Sequence, residues 1–180
     1  MRRYEEPNPL ELDTRKKLYT IISSNPGLHF RELQRQSGFA VGALQYHLGE
    51  LDKGHLIKVE KDKRFVRYYA VVAGGFDETK DVISFLRQDK PREILLELYK
   101  KNGLSQQKIA RKIELGLSTT SWHLNNLVDA GLIERKRRGR RSLFYLVDKE
   151  KVKQVLLAHK DSFIDLLTER FADIINDLHV

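Results

Sequence analysis

Residues 46–57 read Tyr46-His47-Leu48-Gly49-Glu50-Leu51-Asp52-Lys53-Gly54-His55-Leu56-Ile57, and residues 122–133 read Trp122-His123-Leu124-Asn125-Asn126-Leu127-Val128-Asp129-Ala130-Gly131-Leu132-Ile133. An aromatic residue, His-Leu, a second leucine three positions on, and a glycine-bearing turn into Leu-Ile occur twice, 76 positions apart. The same offset aligns the chain with itself without a gap from about residue 18 to residue 71. Leu18 meets Ile94, Ile22 meets Leu98, Gly27-Leu28 meets Gly103-Leu104, Leu33 meets Ile109, Arg64 meets Arg140, and Tyr69-Ala70-Val71 meets Tyr145-Leu146-Val147. Apolar and turn positions coincide while most polar positions differ, as two copies of one fold require.

Each copy has the same local grammar. Helical spacing runs over Asp13–Ser24 and Pro91–Lys101, and Asn25-Pro26-Gly27 and Asn102-Gly103 stop it. A short helix is predicted from His29 to Ser37 and from Ser105 to Ile113, with Ser105 a good N-cap and His29 a poorer one. Gly38 breaks the first copy, and Gly116 stands in the matching turn of the second. A longer helix follows, Val41–Lys53 and Leu117–Asp129, with Gly54 and Gly131 expected as left-handed ends. The period then changes to that of strands, 56–60 with 65–71 and 132–136 with 143–147, joined by charged tips at Lys61–Arg64 and Arg137–Arg141.

Three helices and a charged two-stranded hairpin, twice, predict a mostly α fold with small β-wings (α+β). The expected organisation is two tandem winged helix-turn-helix domains at 1–72 and 91–148, with a linker carrying a short helix at 73–90. A C-terminal amphipathic helix at 149–180 completes it. In the linker, Ala73-Gly74-Gly75 is a flexible break and Asp77 caps a helix bearing Val82, Ile83, Phe85 and Leu86 that ends before Pro91. The tail carries an apolar stripe at Val152, Leu156, His159, Phe163, Leu167, Phe171, Ile174 and Leu178, with Asp161-Ser162 able to restart it as a second helix. That stripe suits a homodimer seam or inter-domain packing.

Charge points to the partner. The net charge is +8, and it is not evenly spread: residues 1–72 carry 13 Lys/Arg against 9 Asp/Glu and residues 91–148 carry 12 against 6. Two basic modules fit a polyanion. The absence of cysteine removes disulfides, thiolate chemistry and Cys-ligated metals. The six histidines lack zinc-ligand spacing, so His47 and His123 are expected as structural or phosphate-contacting, with no metal and no cofactor. No nucleophile, phosphate-loop or paired-carboxylate pattern supports an enzyme. No apolar run is long enough for a membrane span, and the charged Met1–Pro7 segment is not a signal peptide, so a cytoplasmic location is expected.

The quoted segments, with Arg140 and Tyr145 beyond them, resemble the signature of ArsR- and MarR-like winged-helix regulators. The tandem pair resembles archaeal two-winged-helix transcription regulators, a group that includes activators of the archaellum operon. This resemblance implies a promoter-binding protein of double-stranded DNA, with basal transcription factors as further partners. Metal sensing of the ArsR type is not carried over, because its Cys or clustered His and acidic ligands are missing.

In a helix-turn-helix the second helix of the motif enters the major groove. The candidate base-facing residues are therefore Ser118, Thr119, Ser121, Trp122 and Asn125 in copy two, and Gln45 and Tyr46 in copy one, where Val41, Gly42 and Ala43 offer little. Tyr46 and Trp122 are expected as partly buried packing ahead of base-stacking. Arg137, Arg138, Arg140 and Arg141, in a run of six cations over 135–141, are the candidate phosphate clamp, with Lys61, Lys63 and Arg64 a weaker one. About four phosphate contacts there give a log–log salt slope near −3.6. The competing reading is a protein-interaction or general transcription subunit, favoured by the nonpolar helix of copy one and disfavoured by the cationic wing of copy two.

Overall fold

The computed structural model describes residues 13–62, 65–71, 76–139, 141–164 and 174. They form two compact units, 1–76 and 77–180. The first runs α1 (Asp13–Ser24), β1 (Leu28–His29), α2 (Phe30–Ser37), α3 (Val41–Lys53), β2 (Ile57–Asp62) and β3 (Phe65–Ala70). The second runs α4 (Phe76–Leu86), α5 (Asp89–Lys100), β4 (Leu104–Ser105), α6 (Gln106–Lys112), α7 (Leu117–Asp129), β5 (Ile133–Arg138), β6 (Arg141–Leu146), α8 (Lys149–Ala158) and α9 (Lys160–Ile164).

Each sheet has three strands, β1-β3-β2 and β4-β6-β5, all antiparallel. Their registers are identical under the offset of 76: Ile57 faces Ala70 as Ile133 faces Leu146, and Leu28 faces Tyr68 as Leu104 faces Phe144. The two-residue strands β1 and β4 are absent from the sequence reading, being too short to show a period. They pin the turn after the first helix of each copy to the wing.

The wing strands reach further than expected. Lys61, Arg137, Arg138 and Arg141 are ladder residues, and only 63–64 and 139–140 connect the strands. Lys63, Arg64 and Arg140 lie outside the described residues, as do Ala73-Gly74-Gly75 and the tail positions Leu167, Phe171 and Leu178.

In the first unit α1, α2 and α3 close on Leu18, Ile22, Leu33, Leu44, Leu48 and Leu51, with Leu28, Ile57 and Ala70 from the sheet. Each of these leucine and isoleucine side chains taken from water contributes about 1.5–3 kcal/mol. The second unit repeats this core with Ile94, Leu98, Ile109, Leu124, Leu127, Ile133, Phe144 and Leu146. Thr120, at the position of Leu44, is also fully buried, and its hydroxyl donates to the Gly116 carbonyl at 2.9 Å.

Helix ends depart from expectation in instructive ways. His29 is a full N-cap: its Nδ1 accepts from the Glu32 N–H at 3.3 Å and the Glu32 carboxylate accepts from the His29 N–H at 3.0 Å, a capping box. Ser105 caps α6 as expected. Gly54 is not left-handed (φ −78°), and His55 is (φ 54°), in the place that Gly131 holds in copy two (φ 69°). Likewise Gly116 is extended (φ −62°), and Glu114 (φ 52°) matches Gly38 (φ 73°). Each turn thus demands a positive φ, and each copy supplies glycine at only one of these two places. Helix α5 begins at Asp89, two residues before Pro91, which is tolerated because the first intrahelical bond is donated by the Arg92 N–H.

The second unit carries an extra layer. Where α1 buries Leu18 and Ile22, α5 buries residues on all sides, including Arg92, Leu96 and Tyr99. Arg92 donates to the Leu86 carbonyl at 3.0 Å and to Asp89 at 2.8 Å, locking α4 to α5. The Lys149 ammonium lies 4.4 Å from the Tyr99 ring centre. Arg87 donates to the Ser162 carbonyl at 3.1 Å and to its hydroxyl, and stacks 4.4 Å from the centre of the Phe163 ring. The tail breaks at His159 into two helices, and Val152, Leu156, Phe163 and Ile174 of its stripe are buried within the chain itself.

Two consequences are measurable. His55→Gly and Glu114→Gly should each raise stability, by about 1 kcal/mol, because a left-handed residue with a Cβ is strained; denaturant melts showing no gain would remove the strain. Burial, and secondarily Arg87, holds the His159 pKa below its ordinary 6.5. The unfolded chain therefore binds more protons just below pH 6.5, so stability falls as pH drops from 6.5 through the depressed value. Thermal melts of His159→Gln should fall less steeply across that window than those of the parent; parallel curves would contradict the shift.

Candidate nucleic-acid interface

The second helix of each motif is anchored by one buried stripe, and that stripe fixes which side chains face outward. Leu44, Leu48 and Leu51 hold α3, and Thr120, Leu124 and Leu127 hold α7. The outward residues of α7 are Leu117, Ser118, Thr119, Trp122 and Asn125, with Ser121 half-exposed; those of α3 are Val41, Gly42, Ala43, Gln45 and Tyr46. All the sequence-predicted reading residues therefore lie on the free side of their helices.

Tyr46 and Trp122 are 57% and 52% exposed, so they are surface rings and not the partly buried packing expected. Each stands edge-on to the neighbouring histidine, with ring centres 5.3 Å apart for Tyr46 and His47 and 4.8 Å for Trp122 and His123. Burial, then the nearby Lys90, lowers the His123 pKa, which favours the neutral imidazole beside Trp122. Neither α3 nor α7 has a side-chain cap: Ala40 and Gly116 stand at the N-caps, and no side chain of theirs satisfies the first N–H groups.

Strand alternation divides the wing cations between two faces. Ile133, Arg135 and Arg137 share a face with Phe144 and Leu146, the side that packs on the helices; Lys136, Arg138 and Arg141 point the other way. Arg135 stacks 5.1 Å from the Phe144 ring centre and donates at 2.5 Å to the Asn125 side-chain carbonyl, joining the wing to α7. Lys136 pairs with Glu134 at 2.5 Å. The run of six is thus not six free charges. Arg137, Arg138 and Arg141 are exposed and form no ion pair with a described residue, and Arg138 and Arg141 sit directly opposite one another, an arrangement that costs energy until an anion joins it.

The sequence reading missed the Arg135–Asn125 bond. Asn125 Oδ1 is engaged and its amide N–H groups have no partner among the described residues, so the residue presents donors to an acceptor more readily than a bidentate edge to adenine. Copy one has no counterpart of this bond, since Gly49 and Val59 occupy the equivalent positions. The offset alignment carried that signal. On the first wing, Lys61 is exposed and Lys58 pairs with Glu60 at 3.2 Å. Among the described residues, no group of three or more His, Asp or Glu side chains could hold a metal ion, and no helix is long and apolar enough to cross a membrane.

Two helix-turn-helix units with antiparallel wings, one after the other, make this a tandem winged helix-turn-helix protein. Residues 12–80 match a family model described as an N-terminal HTH domain, and residues 87–134 match one described as winged helix-turn-helix DNA-binding. The chain is 29% identical over 142 residues to an uncharacterized HTH-type transcriptional regulator of Methanocaldococcus jannaschii, an overlap of 79% of this chain and 35% of that protein. It therefore spans about a third of the relative's length. Among solved structures, the transcriptional repressor BigR from Xylella fastidiosa superposes with a TM-score of 0.42 at 16% identity, over 52% of this chain and 90% of that one. MepR, a transcription regulator of the Staphylococcus aureus multidrug efflux pump MepA, gives 0.37 at 21% identity, over 56% and 84%. At these scores the fold rests on the chain's own geometry and the family models.

The Arg135–Asn125 contact is open to a double-mutant cycle with Arg135→Met and Asn125→Ala. A coupling of about 0.5–1 kcal/mol in unfolding free energy is expected for an exposed charge-assisted pair. Strict additivity would show that the contact contributes nothing.

Proposed function

We propose that the chain is a sequence-specific regulator of transcription that binds double-stranded promoter DNA in the cytoplasm, with α7 in the major groove and the second wing on phosphates or in the minor groove. One observation carries this reading: the polar outward face of α7 adjoins a wing whose Arg137, Arg138 and Arg141 are exposed and unpaired among the described residues. Ser118 and Thr119 serve several bases, and the Thr119 methyl suits a thymine methyl. The uncapped N–H groups of α7 suit a phosphate oxygen. Trp122 adds an exposed ring to the same face. The description of the matched model and the printed name of the archaeal relative support the same reading.

The second reading, a protein-binding role for one domain, belongs to copy one. Its α3 presents Val41, Gly42, Ala43, Gln45 and Tyr46, a face poor in base-reading groups. Basal transcription factors are the partners this face would suit.

Selection of genomic fragments by the purified chain, followed by footprinting, tests the regulator reading. A preferred site bound at least about 1000-fold more tightly than random duplex is expected; uniform retention of all fragments would overturn it. Replacing Arg137, Arg138 and Arg141 together with Gln should weaken binding and flatten the log–log salt dependence by up to about 2.7, at roughly 0.9 per lost phosphate contact. An unchanged slope would remove the wing from the interface.

A further inference from the structure

The first winged helix carries an open cleft of about 280 Å³ between α3, the start of α2 and the wing sheet. Gln45, Gly49 and Asp52 line it from α3, Phe30 from α2, and Val59 and Tyr68 from the wing. The volume is just below the usual range for drug-sized ligands, so it suits a compact one.

The second copy shows what this place in the fold accommodates. Under the offset of 76, Val59, Gly49 and Tyr68 correspond to Arg135, Asn125 and Phe144. There a guanidinium lies 5.1 Å from the centre of the Phe144 ring and is bonded to Asn125. Copy one keeps the aromatic platform as Tyr68, removes the cation at Val59 and removes its helix partner at Gly49. It also adds a carboxylate, Asp52, where copy two has Val128.

The cleft is not a packing necessity. A Cβ on Gly49 would meet nothing within 4 Å, and a mid-helix glycine weakens α3 relative to alanine. Among the described residues Asp52 has no salt-bridge partner, although Lys53 beside it pairs with Glu50 at 3.0 Å. Burial, and then the Asp52 charge, raises the Tyr68 pKa, so the phenol stays neutral beside the carboxylate. An aromatic face, one anion and one amide line a space whose counterpart residues in the sister domain hold a guanidinium over an aromatic ring. A cation suits such a space by shape and by charge.

We propose that the cleft lined by Gln45, Gly49, Asp52, Val59 and Tyr68 binds a small flat organic cation of the amidinium or guanidinium class, its charge facing Asp52 and its plane against Tyr68. The bound cation touches Gln45, the one side chain of α3 suited to reading adenine. Any effect of the ligand on DNA binding rests on the function proposed above, whereas the binding does not.

The probe is benzamidine, titrated into the isotope-labelled full-length chain without DNA and followed by amide NMR. Saturable shifts at Gly49 and Val59 with a Kd below about 1 mM are expected, with neutral benzamide at least tenfold weaker. Asp52→Asn should weaken benzamidine at least tenfold, and the double variant Gly49→Asn, Val59→Arg, which supplies the sister domain's own guanidinium, should abolish the shifts. Equal binding of benzamide, undiminished binding to Asp52→Asn, or shifts confined to the second unit would overturn the site. A capped Gly-Arg-Gly peptide distinguishes a protein side chain from a free ligand: tighter binding of the peptide than of benzamidine would overturn the small-molecule assignment.

Discussion

Everything the interface can do depends on the rotation of α3 and α7 about their own axes, and a single buried row sets it. Leu44, Leu48 and Leu51, and likewise Thr120, Leu124 and Leu127, are removed from water almost completely. Turning either helix by one residue, about 100°, would bring that row toward the surface and put its polar neighbours in the core. The energetic cost of that exchange is what aims Ser118, Thr119 and Asn125 outward. The short strands β1 and β4 add a second restraint, because they bind the turn after the first helix to the sheet whose hairpin forms the wing. Reading helix and wing are therefore parts of one rigid frame in each domain, and in copy two Arg135 joins them directly.

Most of the architecture was legible because duplication doubles every signal. A heptad-like row of leucines or a glycine before Leu-Ile is ambiguous once; repeated at constant spacing with the turns in step, it is decisive. The structure's two ladders keep the same register through the whole hairpin, as gap-free alignment requires. What escaped detection was of two physical kinds. Strands of two residues leave no alternation to read, and the left-handed turn positions are hidden when His55 or Glu114 holds them instead of glycine. His29 escaped as a cap because its competence depends on Glu32 closing the box from the other side.

The candidate site was less legible than the fold. A run of cations in one dimension looks uniform, but strand alternation sends Arg135 inward to Asn125, pairs Lys136 with Glu134, and leaves Arg137, Arg138 and Arg141 on two different faces. Sequence alone does not give that partition without the register. The exposure of Tyr46 and Trp122 was misjudged for a related reason: aromatic residues usually complete a core, and here the leucine row had already filled it.

The all-round burial of α5 makes the two copies structurally unequal. The first helix of copy one meets solvent along one side, while that of copy two is buried all round, Leu96 and Tyr99 included, with Arg92 bonded to the end of α4 and Lys149 of the tail over Tyr99. A fragment trimmed to the second winged helix alone would wet those side chains and orphan the Arg92 guanidinium. The helices at its two ends are part of its foundation, so the repeats, though equal in outline, are not interchangeable parts.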